Sequence, residues 1–211
     1  MLYPNLKFPK RVGRPFFYTN FVATVDGKVQ VLKNSKDYWP IGSKTDYQVL
    51  LELRAYADYL IHGSNLASEF GEITLNSLNK LSFAKMRKKL GRDSKLPYCI
   101  ITSQPKKFAG FGNEVIVAGS DLRNLSQQLH EKGYKNVLVE GGPTLLASFL
   151  KADLLDEIFL TIAPRIFGNE DKKTLSLVEG YLFPKNTIKN LSLLSIKRLN
   201  SEIYLRYKIR K

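Results

Sequence analysis

From Phe16 to Thr24 the chain is almost continuously aromatic or β-branched, the pattern of a core strand, and it empties into the turn pair Asp26-Gly27. Strand alternation puts Phe16, Tyr18, Asn20 and Thr24 on one face and Phe17, Thr19, Phe21 and Ala23 on the other. Val29 to Pro40 is mixed and polar, and Asn34 to Trp39 reads as a loop in which Tyr38 and Trp39 either cover the core or line a pocket. The period then changes. Ser43 is a helix cap with Asp46 three residues on, and Tyr47, Leu50, Leu51, Ala55 and Tyr56 recur at helical spacing, predicting a helix over 44–57. A short strand over 59–62 ends at Gly63-Ser64-Asn65. Periodicity weakens from 65 to 95, except for a basic amphipathic helix over 79–90 that Gly91 stops.

Beyond it, strands are predicted over 98–102 and 114–117. Asp121 caps a helix running to about 131, which Gly133 ends. The strand 136–139 is followed by two glycines and a helix over 143–150. The strand 156–163 stops at Pro164. Two runs, 191–199 and 203–209, flank Asn200-Ser201 and read as a hairpin. Helices between strands need crossover connections and so favour parallel neighbours, whereas the terminal hairpin adds antiparallel strands. The expected fold is α/β: a single mixed, mostly parallel sheet flanked by helices, with a C-terminal antiparallel hairpin.

Composition narrows the function. The 211 residues, 44% of them hydrophobic, suit one full domain. Cys99, the only cysteine, sits in an apolar strand, so neither an internal disulfide nor a cysteine zinc site is expected. His62 lacks partners at metal spacing and reads as a packed or surface histidine; no metal is expected. No run reaches the ~18 apolar residues of a membrane span, and the N-terminus has no signal-peptide pattern. A cytoplasmic protein is the resulting expectation. The formal charge of +14 is scattered along the chain without a nucleic-acid-binding motif. It fits a lysine-rich surface that attracts phosphorylated small molecules better than it fits nucleic acid.

The candidate chemistry lies at two strand ends. In Val137-Leu-Val-Glu-Gly-Gly-Pro-Thr-Leu145 a buried strand opens into a helix whose free N–H groups and positive dipole end can hold a phosphate. A structural joint would also use glycines, and no Gly-x-Gly-x-x-Gly or Walker loop accompanies them. Glu140, at a strand end, must reach water or accept hydrogen bonds. It could hold the turn's N–H groups or a polar ligand edge. Asp26-Gly27-Lys28 is either a surface turn or a place where Lys28 meets an anion while Asp26 organises the turn.

The ordered set Arg14-Pro15, Tyr18-Thr19-Asn20, Thr24-Val-Asp-Gly-Lys28, Leu53-Arg54-Ala55 with Asp58, Gly63, Glu140-Gly-Gly-Pro-Thr-Leu145, Leu155-Asp156-Glu157 and Ile162-Ala-Pro-Arg-Ile-Phe-Gly168 resembles the reductase domain of bifunctional riboflavin-biosynthesis deaminase/reductases, on the dihydrofolate-reductase-like fold. The resemblance runs from about residue 14 to 168, making 1–13 an N-terminal extension and 14–211 the reductase domain. It implies NADPH as cofactor, a phosphoribosylamino-pyrimidine as substrate and a homodimer. By the same resemblance Gly141, Gly142, Pro143 and Thr144 surround the cofactor pyrophosphate, with Thr24 and Gly63 also in its site. Ser103 touches the adenosine 2′-phosphate, Asn20, Asp26 and Lys28 lie near the reacting centre, and Glu140 places substrate or cofactor. The chain departs from the family where an Asp-Asp-Pro-x-Leu segment is usual: Ser68 to Thr74 carries neither the paired aspartates nor the proline. A noncatalytic nucleotide- or nucleic-acid-binding module and a dihydrofolate-reductase-type enzyme remain the alternatives.

Overall fold

A computed structural model describes residues 1–31, 40–108, 114–117 and 121–210. The loop expected over 34–39, with Tyr38 and Trp39, lies outside the described residues. The strands are β1 (Phe16–Thr24), β2 (Lys28–Val31), β3 (Tyr59–Gly63), β4 (Tyr98–Thr102), β5 (Glu114–Val117), β6 (Asn136–Glu140), β7 (Leu155–Ala163), β8 (Thr174–Ser176), β9 (Leu191–Leu199) and β10 (Glu202–Ile209). The helices are α1 (Lys44–Tyr56), α2 (Ser64–Leu78), α3 (Leu81–Lys89), α4 (Leu122–Glu131) and α5 (Pro143–Lys151). Eight strands form one mixed sheet in the order β5-β4-β3-β6-β1-β7-β10-β9, and β2 pairs with β8 in a separate ribbon. The expected mixed sheet, its flanking helices and the terminal hairpin are all present. The chain divides into two compact units: Met1–Tyr18 with Val49–Gly142, and Thr19–Gln48 with Pro143–Lys211.

In the first unit β4 pairs in parallel with β3 and β5, and β3 with β6. Val137, Leu138 and Val139 are buried, as are Leu60, Ile61, Ile100 and Cys99, because strands covered on both faces need apolar residues throughout. The expected helix over 44–57 forms, and Ala55 and Tyr56 of its apolar set are buried with Val49 and Leu53. Tyr47 is exposed, whereas Glu52 and Arg54 are buried. Each buried charge on α1 has a partner. Glu52 accepts the N–H groups of Leu2 and Tyr3 at 2.6 and 2.7 Å, fixing the N-terminal segment to the helix.

α2 does not announce itself in the sequence. Its buried positions are Ala67, Gly71, Thr74, Ser77 and Leu78, a stripe at helical spacing built mostly from small and polar residues. The basic helix over 79–90 appears as α3, and Gly91 ends it with a left-handed φ of 69°. Arg87, on α3, points inward. Its Nε donates to the Asp93 carbonyl at 2.6 Å and its Nη1 to the Ala57 carbonyl at 2.6 Å, with the Arg54 and Ala55 carbonyls at 3.3 Å. One side chain thus satisfies the carbonyls left open where α1 ends.

In the second unit β10 runs antiparallel to both β7 and β9. Phe159, Thr161 and Tyr204 point to the core side and are buried. Buried Glu157 receives Arg206 through Nε and Nη2 at 2.7 and 3.0 Å. The reverse turn of the hairpin places Asn200 at φ 54°, a conformation asparagine tolerates.

Candidate functional site

At the C-terminal ends of β3 and β6, the first unit holds a buried ionic cluster. Arg54 of α1 donates to Glu140 in a two-point grip, Nε to Oε1 at 2.7 Å and Nη2 to Oε2 at 2.5 Å. His62 Nε2 lies 2.9 Å from Glu140 Oε2, and Arg54 also reaches Ser77 Oγ at 3.1 Å and Thr74 Oγ1 at 3.4 Å. All three ionisable side chains are buried. Burial alone would push the Glu140 carboxyl up, but Arg54 and His62 outweigh it and hold the group at about 2. Both oxygens of Glu140 are therefore engaged with the protein, so it positions the start of the Gly141-Gly142 turn rather than presenting itself to a ligand. Of the packed and surface alternatives that the sequence left open for His62, the structure shows the packed one.

The same end of the first unit carries an open cavity of about 110 Å³ lined by Ser64, Asn65, Ser68, Ser103, Gln104 and Lys107, among others. Gly63, in extended conformation at φ −79° and ψ 149°, leads into α2 and offers no side-chain cap. The N-terminus of a fifteen-residue helix, without a side-chain cap, therefore borders this cavity through Ser64 and Asn65. A helix N-terminus, three serines and a lysine form a donor-rich, positively polarised concavity suited to a phosphate. Ser103, which the resemblance sets against the adenosine 2′-phosphate, lines this cavity. Ser64, Asn65 and Lys107 were missed, although a strand exit followed directly by Gly-Ser-Asn is a legible signal for a helix N-terminus.

Gly142 adds a separate observation. It does not have a left-handed φ, and a β-carbon built on it would meet nothing within 4 Å. Neither backbone conformation nor packing within the described residues demands a glycine there. Pro143 is buried and Thr144 exposed at the start of α5, in the second unit.

In the second unit the Asp26 turn is tightly organised. Thr24 is buried, and its hydroxyl donates to Asp26 Oδ1 at 2.5 Å and accepts the Lys28 N–H at 2.9 Å. Asp26 also accepts the N–H groups of Phe167 and Gly168 at 3.2 and 2.8 Å. The hydrogen bond from Thr24, then those from the two backbone N–H groups, hold its carboxyl below the usual range. Asp26 thus ties the turn to the segment after β7, and Gly27 sits at φ 76° as a turn glycine should. Thr24 and Asp26 are fully engaged within this turn. Asn20, midway along β1, has a buried Oδ1 with no hydrogen-bond partner, an acceptor available to a donor from a ligand. Lys28 begins β2, opposite Ser176. Among the described residues no group of His, Cys, Asp and Glu could hold a metal ion.

Comparison with known proteins matches residues 15–205 to the family described as the RibD C-terminal domain. A relative from Methanothermobacter thermautotrophicus, named 2,5-diamino-6-ribosylamino-4(3H)-pyrimidinone 5′-phosphate reductase, is 29% identical over 188 residues, covering 79% of this chain and 86% of its own. Among solved structures, a pyrimidine reductase-like protein from Corynebacterium diphtheriae superposes with a TM-score of 0.72 at 21% identity, covering 93% of this chain and 92% of its own. A dihydrofolate reductase from Enterococcus faecalis superposes with a TM-score of 0.57 at 12% identity over 93% of this chain and 97% of its own. The fold is therefore dihydrofolate-reductase-like, and the comparisons support a reductase-type function on it. No helix among the described residues is long and apolar enough to cross a membrane.

Proposed function

This chain belongs to the RibD C-terminal domain family, and from that membership we propose that it is an NADPH-dependent reductase of a phosphoribosylamino-pyrimidine. The observation that carries the cofactor half of the proposal is the cavity where the uncapped N-terminus of α2 meets Ser103 and Lys107. Its donors fit the adenosine 2′-phosphate that distinguishes NADPH from NADH. Gly142 leaves room for the pyrophosphate to approach the backbone. The pyrimidine half rests on the relatives, three of which carry the name of a ribosylaminopyrimidinone phosphate reductase.

When bound, the cofactor supplies the hydride; the protein's part is placement and electrostatics. Arg54, Glu140 and His62 fix the ends of β3 and β6, so the two turns that follow hold their positions without a ligand to order them. Lys107 and the α2 N-terminus supply positive potential for a phosphate. Asp26 keeps the Lys28 turn in register.

Calorimetric titration tests the reading. NADPH should bind at least tenfold more tightly than NADH, and Lys107→Ala should remove most of that preference while leaving NADH affinity unchanged. Equal, weak binding of both nucleotides to the unaltered protein would reject the cofactor assignment.

A further inference from the structure

In the second unit, the ribbon of β2 and β8 brings a cation and an anion to one face. Lys28 is directly opposite Ser176 in its register, and opposed residues of an antiparallel pair share a face. Beyond Ser176 the chain folds back, so that Glu179 Oε1 accepts the Ser176 N–H at 2.7 Å and its hydroxyl at 2.6 Å. Those hydrogen bonds first, and then the positive charge of Lys28, hold the Glu179 carboxyl below its usual range. Yet among the described residues neither Glu179 Oε2 nor Lys28 Nζ has a hydrogen-bond or ion-pair partner. Both side chains are half-buried and open to a ligand. The same loop lies against the first turn of α5. The Glu179 N–H donates to the Pro143 carbonyl at 3.5 Å, and a β-carbon on Gly180 would stand 3.7 Å from Thr144 Cγ2. Gly180 turns the chain there at φ 78°.

We propose that Glu179 Oε2 and Lys28 Nζ together bind the hydroxyl groups of a ribose 5-phosphate unit. Closing the turn from Ser176 to Glu179 takes one carboxylate oxygen and no charge, and a glutamine would serve as well. The second, ionised oxygen therefore has a use outside the fold. A cation and an anion that lie near one another without pairing suit a group that both donates and accepts. A hydroxyl does so: it gives its proton to the carboxylate and takes one from the ammonium. Bonds to charged groups of this kind are the strong ones. A phosphate has no proton to offer at neutral pH and is repelled by Glu179, and an apolar group would leave both charges bare. Carboxylate recognition of ribose hydroxyls serves other nucleotide-binding folds in the same way. The assignment rests on the reductase reading, which brings two molecules with such a unit: the nicotinamide half of NADPH and the phosphoribosylamino-pyrimidine.

Calorimetric titration of Glu179→Gln is the test, since glutamine keeps an acceptor for the Ser176 N–H and removes the charge. Its melting temperature should match that of the unaltered protein. NADPH is titrated beside 2′,5′-ADP, which keeps the adenosine 2′-phosphate and lacks the nicotinamide ribose. In a separate arm, ribose 5-phosphate is titrated into protein saturated with NADP+. The expected result is a loss of about tenfold or more in NADPH affinity with 2′,5′-ADP affinity unchanged, which assigns the nicotinamide ribose. The same loss confined to ribose 5-phosphate assigns the ribose of the substrate instead. Lys28→Met should weaken the same ligand, and the double variant should lose less than the sum of the two, because both groups hold one hydroxyl pair. Undiminished binding of both NADPH and ribose 5-phosphate to Glu179→Gln overturns the proposal, and so does an equal loss for NADPH and 2′,5′-ADP. If the unaltered protein binds neither nucleotide, the cofactor reading falls and this proposal with it.

Discussion

Asp46 is expected to make the protein less stable as the solution becomes less acidic, and replacing it by asparagine should remove that dependence. The carboxyl lies in the first turn of α1, is only 8% exposed, and has one oxygen without a hydrogen-bond partner. Burial pushes it up from 3.8 to about 6; the Thr161 hydrogen bond pulls the other way, and the nearby Glu202 carboxylate adds to the rise. Glu202 is itself held by the Ser43 N–H and hydroxyl at 3.0 and 2.6 Å and by the Tyr204 hydroxyl at 2.5 Å. Gly42 offers Asp46 little room to retreat, because a β-carbon there would lie 2.2 Å from Asp46 Oδ2. Below pH 3.8 the group is protonated in folded and unfolded chains alike. Between about pH 4 and 6 the unfolded chain ionises while the folded one resists, so stability falls as pH rises and levels off above 6. A shift of this size corresponds to about 3 kcal/mol, or roughly 6–12 °C in melting temperature for a chain of this length. Urea unfolding of the unaltered protein and Asp46→Asn should be compared at pH 4, 5, 6, 7 and 8. The stability difference between them should grow by about 2 kcal/mol in favour of the variant from pH 4 to 6 and level off by about pH 7. Taking the difference cancels every other titrating group. A difference independent of pH would refute the reasoning.

Glu140 should show the opposite pH dependence. Its carboxyl is held at about 2 against 4.5 in the unfolded chain, so its contribution is present above pH 4.5 and lost as pH falls toward 2, measurable as acid unfolding that Glu140→Gln abolishes. That substitution should also cost about 3–5 kcal/mol near neutral pH in denaturant unfolding, because Arg54 is left as an uncompensated buried charge. Gly142→Ala should leave the melting temperature within a degree or two, since its methyl group meets open space, yet weaken NADPH binding at least tenfold by calorimetry. Unchanged affinity would mean that no ligand approaches that backbone. Arg87→Met should lower stability by roughly 2–4 kcal/mol through the carbonyls it leaves unsatisfied, visible first as faster amide exchange at the end of α1.

Strands buried on both faces wrote themselves plainly into the sequence, since a run such as Val137-Leu-Val139 has no other stable use. Helix ends marked by Gly91, Asp121 and Gly133 were legible for the same local reasons. The inward side of α1 was legible only in part, because its interior positions include Glu52 and Arg54, charges whose partners lie far along the chain. α2 was hidden by that same cluster: Thr74 and Ser77 are buried to meet Arg54, so polar side chains occupy positions where a periodicity argument looks for leucines. β2 and β8 are short and pair only with each other across a long sequence separation, beyond the reach of local pattern. Of the candidate residues, Ser103 came from the resemblance, and Gly142 from both the resemblance and the strand–helix joint. The engagement of Glu140 and Thr24 by their own neighbours depended on contacts that only the folded chain makes.

The inward turn of Arg87 changes how the protein's basicity should be handled. Formal charge treats every lysine and arginine alike, yet this guanidinium serves the interior as a fixture for a helix terminus, and the Arg54 guanidinium is neutralised by Glu140. An engineer diluting the basic stretch around α3 to improve behaviour in crystallisation or storage has a free hand at Lys85, Lys88 and Lys89. At the residue next to them, the same edit would loosen the frame on which α1 ends.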